Sequence, residues 1–189
     1  NNTAVGSAAL GAVTTANNNT AMGISALLVN TADNNTAIGH QALTANTTGT
    51  QNTAVGAFAL DANTTDSYNS AFGYQALSAN TTGEKNTAVG SFALRDSTTS
   101  DFNTALGSSA LLSNTTGVQN TAMGVYALDA NTTASNNTAV GYNALTDCVT
   151  GTRNTAVGVL ALGNVTADDC TAVGYEAAVE TTSAGGQVA

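Results

Sequence analysis

Asn69-Ser70-Ala71-Phe72-Gly73-Tyr74-Gln75-Ala76-Leu77-Ser78-Ala79-Asn80-Thr81-Thr82-Gly83 returns, with small changes, along the whole chain. Its core, Asn-Thr-Ala-apolar-Gly-x-x-Ala-Leu, begins at Asn2, Asn19, Asn35, Asn52, Asn69, Asn86, Asn103, Asn120, Asn137 and Asn154, with a last variant at Cys170. The motif glycines are Gly6, Gly23, Gly39, Gly56, Gly73, Gly90, Gly107, Gly124, Gly141, Gly158 and Gly174, spaced 17 residues apart except for steps of 16 at Gly23–Gly39 and Gly158–Gly174. Self-similarity at a fixed period is the mark of a stacked-repeat architecture.

A unit of this length is too short for two helices and a turn, and its apolar residues do not recur at helical spacing. Thr, Val, Asn and Gly at fixed places favour strands and turns. Each unit therefore reads as a short strand through Thr-Ala-Val-Gly, a second through x-x-Ala-Leu, and a turn-rich return such as Asn46-Thr47-Thr48-Gly49. The expected fold is all-β: a parallel β-solenoid, a β-roll or β-helix of about eleven coils, forming one array over residues 1–189. At roughly 4.8 Å per coil the rod would be about 50 Å long. A single coil cannot offset the entropy of ordering its own backbone, so stability must come from contacts between neighbouring coils.

A longer period runs through the first. Gly49, Gly83, Gly117 and Gly151 close the return in every other coil, whereas the intervening coils carry Phe58, Phe92, Tyr126 and Leu160 just before Ala-Leu. The building block is thus a 34-residue pair of coils, and the alternation lets bulky side chains interleave.

Strand alternation puts Ala54 and Gly56 on one side and Thr53 and Val55 on the other. Both sides are small or apolar, and pattern alone leaves open which one fills the coil. The expectation adopted here is a buried central column of Val55, Phe72, Val89, Leu106 and Met123. The glycines then either turn a corner with positive φ or allow a neighbouring chain to approach. The Asn column at the motif start is expected to form an internal ladder of side-chain amides.

The composition excludes several functions. Only Lys85, Arg95 and Arg153 are basic, against twelve acidic residues and a net charge of −9. A nucleic-acid backbone or an anionic membrane surface needs clustered Lys and Arg, so neither is expected as a partner. No apolar run reaches the roughly 18 residues that would suggest membrane insertion. No nucleophile–base set, phosphate loop, metal-ligand cluster or cofactor motif is visible, so no catalytic, cofactor or metal residues are assigned. His40, the only histidine, reads as a substitution within the array, at a position shared by Tyr74 and Tyr142.

Two sets of residues carry further expectations. Asn46, Asn63, Asn80, Asn114 and Asn131 each begin an Asn-Thr-Thr acceptor pattern, which would permit glycosylation along one edge. Cys148 and Cys170 would permit one disulfide stapling the last coils in an oxidising setting. The paired threonines, such as Thr47-Thr48 and Thr81-Thr82, form an array with the regularity of an ice-binding surface, although they lie in the return segment.

The motif resembles two related families. Asn-Thr-Ala-Val-Gly followed by Ala-Leu is similar to the head repeats of trimeric autotransporter adhesins. The longer unit, Asn69 to Gly83, resembles the repeat arrays of phage-tail-fibre-like proteins that end in an endosialidase-type chaperone domain. The adhesin unit is usually shorter, and no stalk, anchor or chaperone sequence is present. The resemblance implies a cell-surface or extracellular setting, lateral trimers and binding to cell-surface glycans. No polar cap marks either end of the array, and Gln187-Val188-Ala189 falls where a twelfth coil would begin. Residues 181–189 are therefore expected to continue into a next coil or subunit, giving an end-to-end homopolymer. The leading expectation is a structural fibre subunit, with an adhesin or phage-type fibre as the alternative and ice binding as the remote one.

Overall fold

A computed structural model describes residues 1–181. It is an all-β parallel solenoid in which eleven strands form one sheet, each paired with the equivalent strand of the next coil. The strands are β1 (Thr3–Val5), β2 (Thr20–Met22), β3 (Thr36–Ile38), β4 (Thr53–Val55), β5 (Ser70–Phe72), β6 (Thr87–Val89), β7 (Thr104–Leu106), β8 (Thr121–Met123), β9 (Thr138–Val140), β10 (Thr155–Val157) and β12 (Thr171–Val173). A small second sheet pairs β11 (Asn164–Val165) with β13 (Glu180–Thr181). The expected continuation of 181–189 into another coil lies, apart from Thr181, outside the described residues.

The register never slips. Thr pairs with Thr or Ser, and Ala with Ala, at every step, including the two 16-residue steps Thr20↔Thr36 and Thr155↔Thr171. The missing residue in those coils falls in the Thr-Thr return, as in Asn30-Thr31-Ala32 and Val165-Thr166-Ala167, so the strands stay aligned.

The expected second strand through x-x-Ala-Leu is instead a run of turns. Its backbone is left-handed at Phe58 (φ 58°) and Leu60 (φ 50°), and equivalently in the other coils. The wall is nonetheless laddered to both neighbours: the Phe58 amide donates to the His40 carbonyl below and the Leu60 amide to the Ala76 carbonyl above. Alternating hand aims successive amides in directions that a regular strand would not, which is why propensity alone suggested a strand here.

The buried column also differs from the expectation. Ala54, Ala71, Ala88, Ala105 and Ala122 are fully buried, together with Ala59, Leu60 and their repeats. Val55 and Val89 are only partly covered, and Phe72, Leu106 and Met123 are exposed. The coil is flat, and Leu60 from the opposite wall occupies the space facing the sheet. Only a methyl group fits on the sheet's inner side, so strand alternation sends the larger side chain outward. The motif glycine is needed for two reasons. Gly56 sits at φ 137°, and a Cβ there would run into the backbone carbonyl of Gly73.

Candidate functional site

Within the coil, the Asn residues form two parallel columns. In the first, the Oδ1 of each motif Asn accepts the backbone amide of the next motif residue. Examples are Asn69 to Asn52 at 2.9 Å, Asn103 to Asn86 at 2.9 Å and Cys170 to Asn154 at 2.8 Å. The Nδ2 of the same Asn donates to a return carbonyl, as Asn69 does to Gly83 at 2.7 Å. The motif Asn column is internal and in register as expected, but its rungs join side chain to backbone where a ladder of side-chain amides was expected, with an amide-to-amide contact at Asn86 and Asn69 (3.3 Å).

The second column consists of Asn30, Asn46, Asn63, Asn80, Asn114 and Asn131, all fully buried. Asn63 donates to Asn46 and Asn80 to Asn63, each at 3.0 Å, and Asn131 donates to Asn114 at 2.8 Å. Five of these six are the residues that the acceptor pattern marks for glycosylation. The nitrogen that a glycan would occupy is the one that each ladder bond uses, so the folded coils present none of the five to solvent. The glycan-coated edge gives way to an internal ladder. Motif matching missed this because Asn-Thr-Thr looks the same whether Asn points in or out. Where the column reads Ser97, the Ser100 hydroxyl substitutes and accepts from Asn114 at 3.2 Å.

Cys148 takes one position in the second column and Cys170 one in the first. Both are free, buried thiols in the structure, not a disulfide. Asn154 lies between them, bonding toward the Cys148 thiol on one side and accepting the Cys170 amide on the other. Burial pushes the Cys148 thiol up to about 11. Its sulfur replaces an amide, donating to the Gly151 carbonyl at 3.3 Å.

Threonine hydroxyls are divided between two tasks. Thr47, Thr64, Thr81, Thr98 and Thr115 donate to carbonyls of the next coil at 2.9–3.2 Å. Thr48, Thr65, Thr82, Thr99, Thr116 and Thr133 remain exposed. One hydroxyl of each pair is therefore committed to holding the stack, which leaves a single outward column where an ice-binding array would use a wider one.

The outer side of the sheet carries two columns along its length, Thr or Ser at the first strand position and an apolar residue at the third. The third strand residue, which runs from Val5 through Phe72 and Leu106 to Val173, is aliphatic, Met or Phe in every coil. Beside it, in the two positions after Gly, stand rings in edge-to-face contact: His40 with Phe58 at 5.0 Å, Phe58 with Tyr74 at 6.2 Å and Tyr74 with Phe92 at 5.3 Å. Tyr126 and Tyr142 continue this file at 6.5 Å. The file shows how alternate coils interleave their bulky groups, and it places His40 as one ring among the others.

Charged residues lie elsewhere. Lys85 pairs with Glu84 at 2.8 Å at the opposite edge, with its ammonium near the rings of Tyr68 and Phe102. Arg153 bonds Asp169 at 2.6 Å one coil above and approaches Asp168, and hydrogen bonds to Thr152 and Arg153 hold both carboxyls below their ordinary values. Among the described residues there is no cavity, no cluster of three His, Cys, Asp or Glu side chains suited to a metal, and no helix long and apolar enough to cross a membrane. Comparison with models of known families, with curated proteins and with solved structures finds no match to this chain.

Proposed function

We infer that the chain is a structural segment of an extracellular fibre that extends by stacking coil upon coil. The observation that carries this reading is the uniformity of the coil-to-coil contact. The same three-residue register and the same Asn-to-amide bond recur at successive steps. Any coil offering this surface can be followed by another, from the same chain or from a second copy, with identical hydrogen bonds. Such a contact is heterologous and continues as a filament instead of closing. The resemblance of the repeat to fibre and adhesin arrays supports the extracellular setting.

Electron microscopy of the purified chain tests this directly. Rods that lengthen in multiples of about 50 Å are expected, and a population that stays at the single-rod length at high concentration would overturn stacking. A second reading, attachment to cell-surface glycans, is favoured by the exposed rings of Tyr74, Tyr126 and Tyr142. Saturable binding on a glycan array, lost on replacing Tyr74 and Tyr142 by Ser, would favour that reading over a purely structural one.

A further inference from the structure

We propose that the folded chain is N-glycosylated at Asn34, Asn136 and Asn164, with an oligosaccharide on a polyprenyl diphosphate as the donor. This rests on the extracellular setting of the fibre reading above and does not depend on coil stacking.

The acceptor pattern Asn-x-Thr is not confined to the five buried asparagines. It also occurs in Asn18-Asn19-Thr20, Asn34-Asn35-Thr36, Asn136-Asn137-Thr138 and Asn164-Val165-Thr166. In the first three the middle residue is the motif Asn of the internal column, and the acceptor is the residue just before it. That residue sits at the corner where the return meets the strand. Asn34 and Asn136 are left-handed there, both at φ 63°. Both are exposed, whereas Asn35 and Asn137 beside them are fully buried. Their backbone amides stay in the stack, Asn34 donating to the Asn17 carbonyl at 3.0 Å and Asn136 to the Val118 carbonyl at 3.1 Å. A sugar on Nδ2 therefore leaves the coil-to-coil backbone bonds in place. Asn164 reaches solvent by another route: in β11 and the residue after it, Val165 is buried and Asn164 and Thr166 face outward.

The side-chain nitrogens divide the same way. Among the described residues, no hydrogen bond engages the Nδ2 of Asn34, Asn136 or Asn164. The Nδ2 of Asn46, Asn63, Asn80, Asn114 and Asn131 is committed inside the coil. Asn18 is exposed, but its Nδ2 donates to the Asn34 Oδ1 at 3.2 Å. It also stands one coil, about 4.8 Å, from Asn34, too close for two oligosaccharides. Asn34 therefore carries the glycan of that pair. Asn34 and Asn136 are six coils apart, about 29 Å, and do not crowd each other.

In the transfer, Nδ2 attacks C1 of the donor's reducing-end sugar. The Nδ2–C1 bond forms, the C1–O bond to the diphosphate breaks, and the polyprenyl diphosphate leaves with the electron pair. One Nδ2 proton passes to a base of the transferring enzyme. The hydroxyl two residues on is open to that enzyme as well, since Thr36 and Thr138 lie on the outer side of the sheet and Thr166 is exposed. A sugar placed on Asn63 before folding would occupy the buried column and stop the coil from closing, so folded chains carry none there. Charged residues make up 8% of this chain, about a third of the usual share, and three glycans would supply hydration that the side chains do not.

The test is secretion of the chain from a cell whose export pathway N-glycosylates, followed by glycopeptide mass spectrometry. Release of the sugars by a peptide N-glycosidase in heavy-oxygen water marks each occupied Asn as a labelled Asp. Label is expected at Asn34, Asn136 and Asn164 and absent from the five buried positions. Asn34→Gln, Asn136→Gln and Asn164→Gln should each lose one glycan mass and keep the far-UV circular dichroism of the unchanged chain. Lys85→Asn creates a new acceptor at the same corner, where Lys85 has φ 57°, and should gain one. Folded chain without sugar at Asn34 and Asn136, or with sugar at Asn63 or Asn80, would overturn the proposal. So would a sugar mass that resists the glycosidase and maps only to Thr99 or Thr116. Electron microscopy of the same material separates the two readings. Rods that lengthen without glycans would leave the fibre standing and remove these sites, and glycosylated rods that do not lengthen would do the reverse.

Discussion

The Oδ1 of Asn131 is buried beneath Cys148 with no hydrogen-bond partner, because the residue that should donate to it from the next coil is a thiol and not an amide. Elsewhere in the same column the oxygen is met by the Nδ2 one coil above, as Asn114 is by Asn131 at 2.8 Å, or, where Ser97 follows Asn80, by the Gly83 backbone amide at 3.1 Å. At Asn131 the ladder is interrupted with its acceptor left unpaired.

Restoring that rung should stabilise the array. Cys148→Asn supplies the missing donor and a stronger bond to the Gly151 carbonyl, so a gain of about 1–2 kcal/mol is expected. For a chain of this size that corresponds to a rise in Tm of roughly 3–6 °C. A thermal melt showing the variant equal to or below the unchanged protein would contradict the ladder account. The same burial predicts that Cys148 stays protonated at neutral pH and reacts with iodoacetamide only on unfolding.

The direction of the strand side chains sets a second expectation. Val89→Asp places its carboxylate at a partly exposed outward position and should lower stability by no more than about 1 kcal/mol in a single rod. Ala88→Leu, one residue away, forces a larger group into a coil with no room for it and should lower stability by about 3 kcal/mol or prevent folding. Denaturant titration of the two variants checks this, and the reverse ranking would mean that the strand faces are misassigned.

Backbone hand gives a third. Gln119 is exposed and left-handed, at φ 58°. Its replacement by Gly removes the Cβ strain and keeps the amide bond to the Asp101 carbonyl, so stability should rise by about 0.5–1 kcal/mol. Gly73→Ala should do the opposite, losing about 3 kcal/mol or more, because φ there is 144° and the new methyl would strike the Gly90 carbonyl. Equal melting temperatures for the two variants would count against this backbone.

Asp61 supplies a pH dependence. Its Oδ1 is buried without a partner, and burial raises the carboxyl above its ordinary value of 3.8. The folded protein therefore binds this proton more tightly than the unfolded chain does. This group's contribution is most favourable below the ordinary value and declines as pH rises through the raised folded value. Asp61→Asn should raise Tm at pH 7 and leave it unchanged near pH 3, as measured by calorimetry at the two pH values.

Much of this was legible in the chain itself. The 17-residue spacing of Gly56, Gly73 and Gly90 fixes the coil length, the parallel pairing and the register, because stacking identical units leaves only one alignment that puts each Ala on an Ala. The Asn52–Asn69–Asn86 ladder follows from the same spacing, since side chains one period apart become neighbours. Sequence could not decide which side of the strand is inside. Ala54 and Val55 are both apolar, and the choice depends on the distance between the two walls, which exists only once Leu60 of the opposite wall is in place. Nor could it decide the fate of Asn63. An Asn-Thr-Thr turn presents its amide to solvent or to the core according to the hand of the residues before it, and the left-handed backbone at Leu60 turns Asn63 inward. The outward apolar column and the second amide ladder both arise from those two packing decisions. Each is a consequence of how closely the walls approach, a quantity set by tertiary contact and absent from any single repeat.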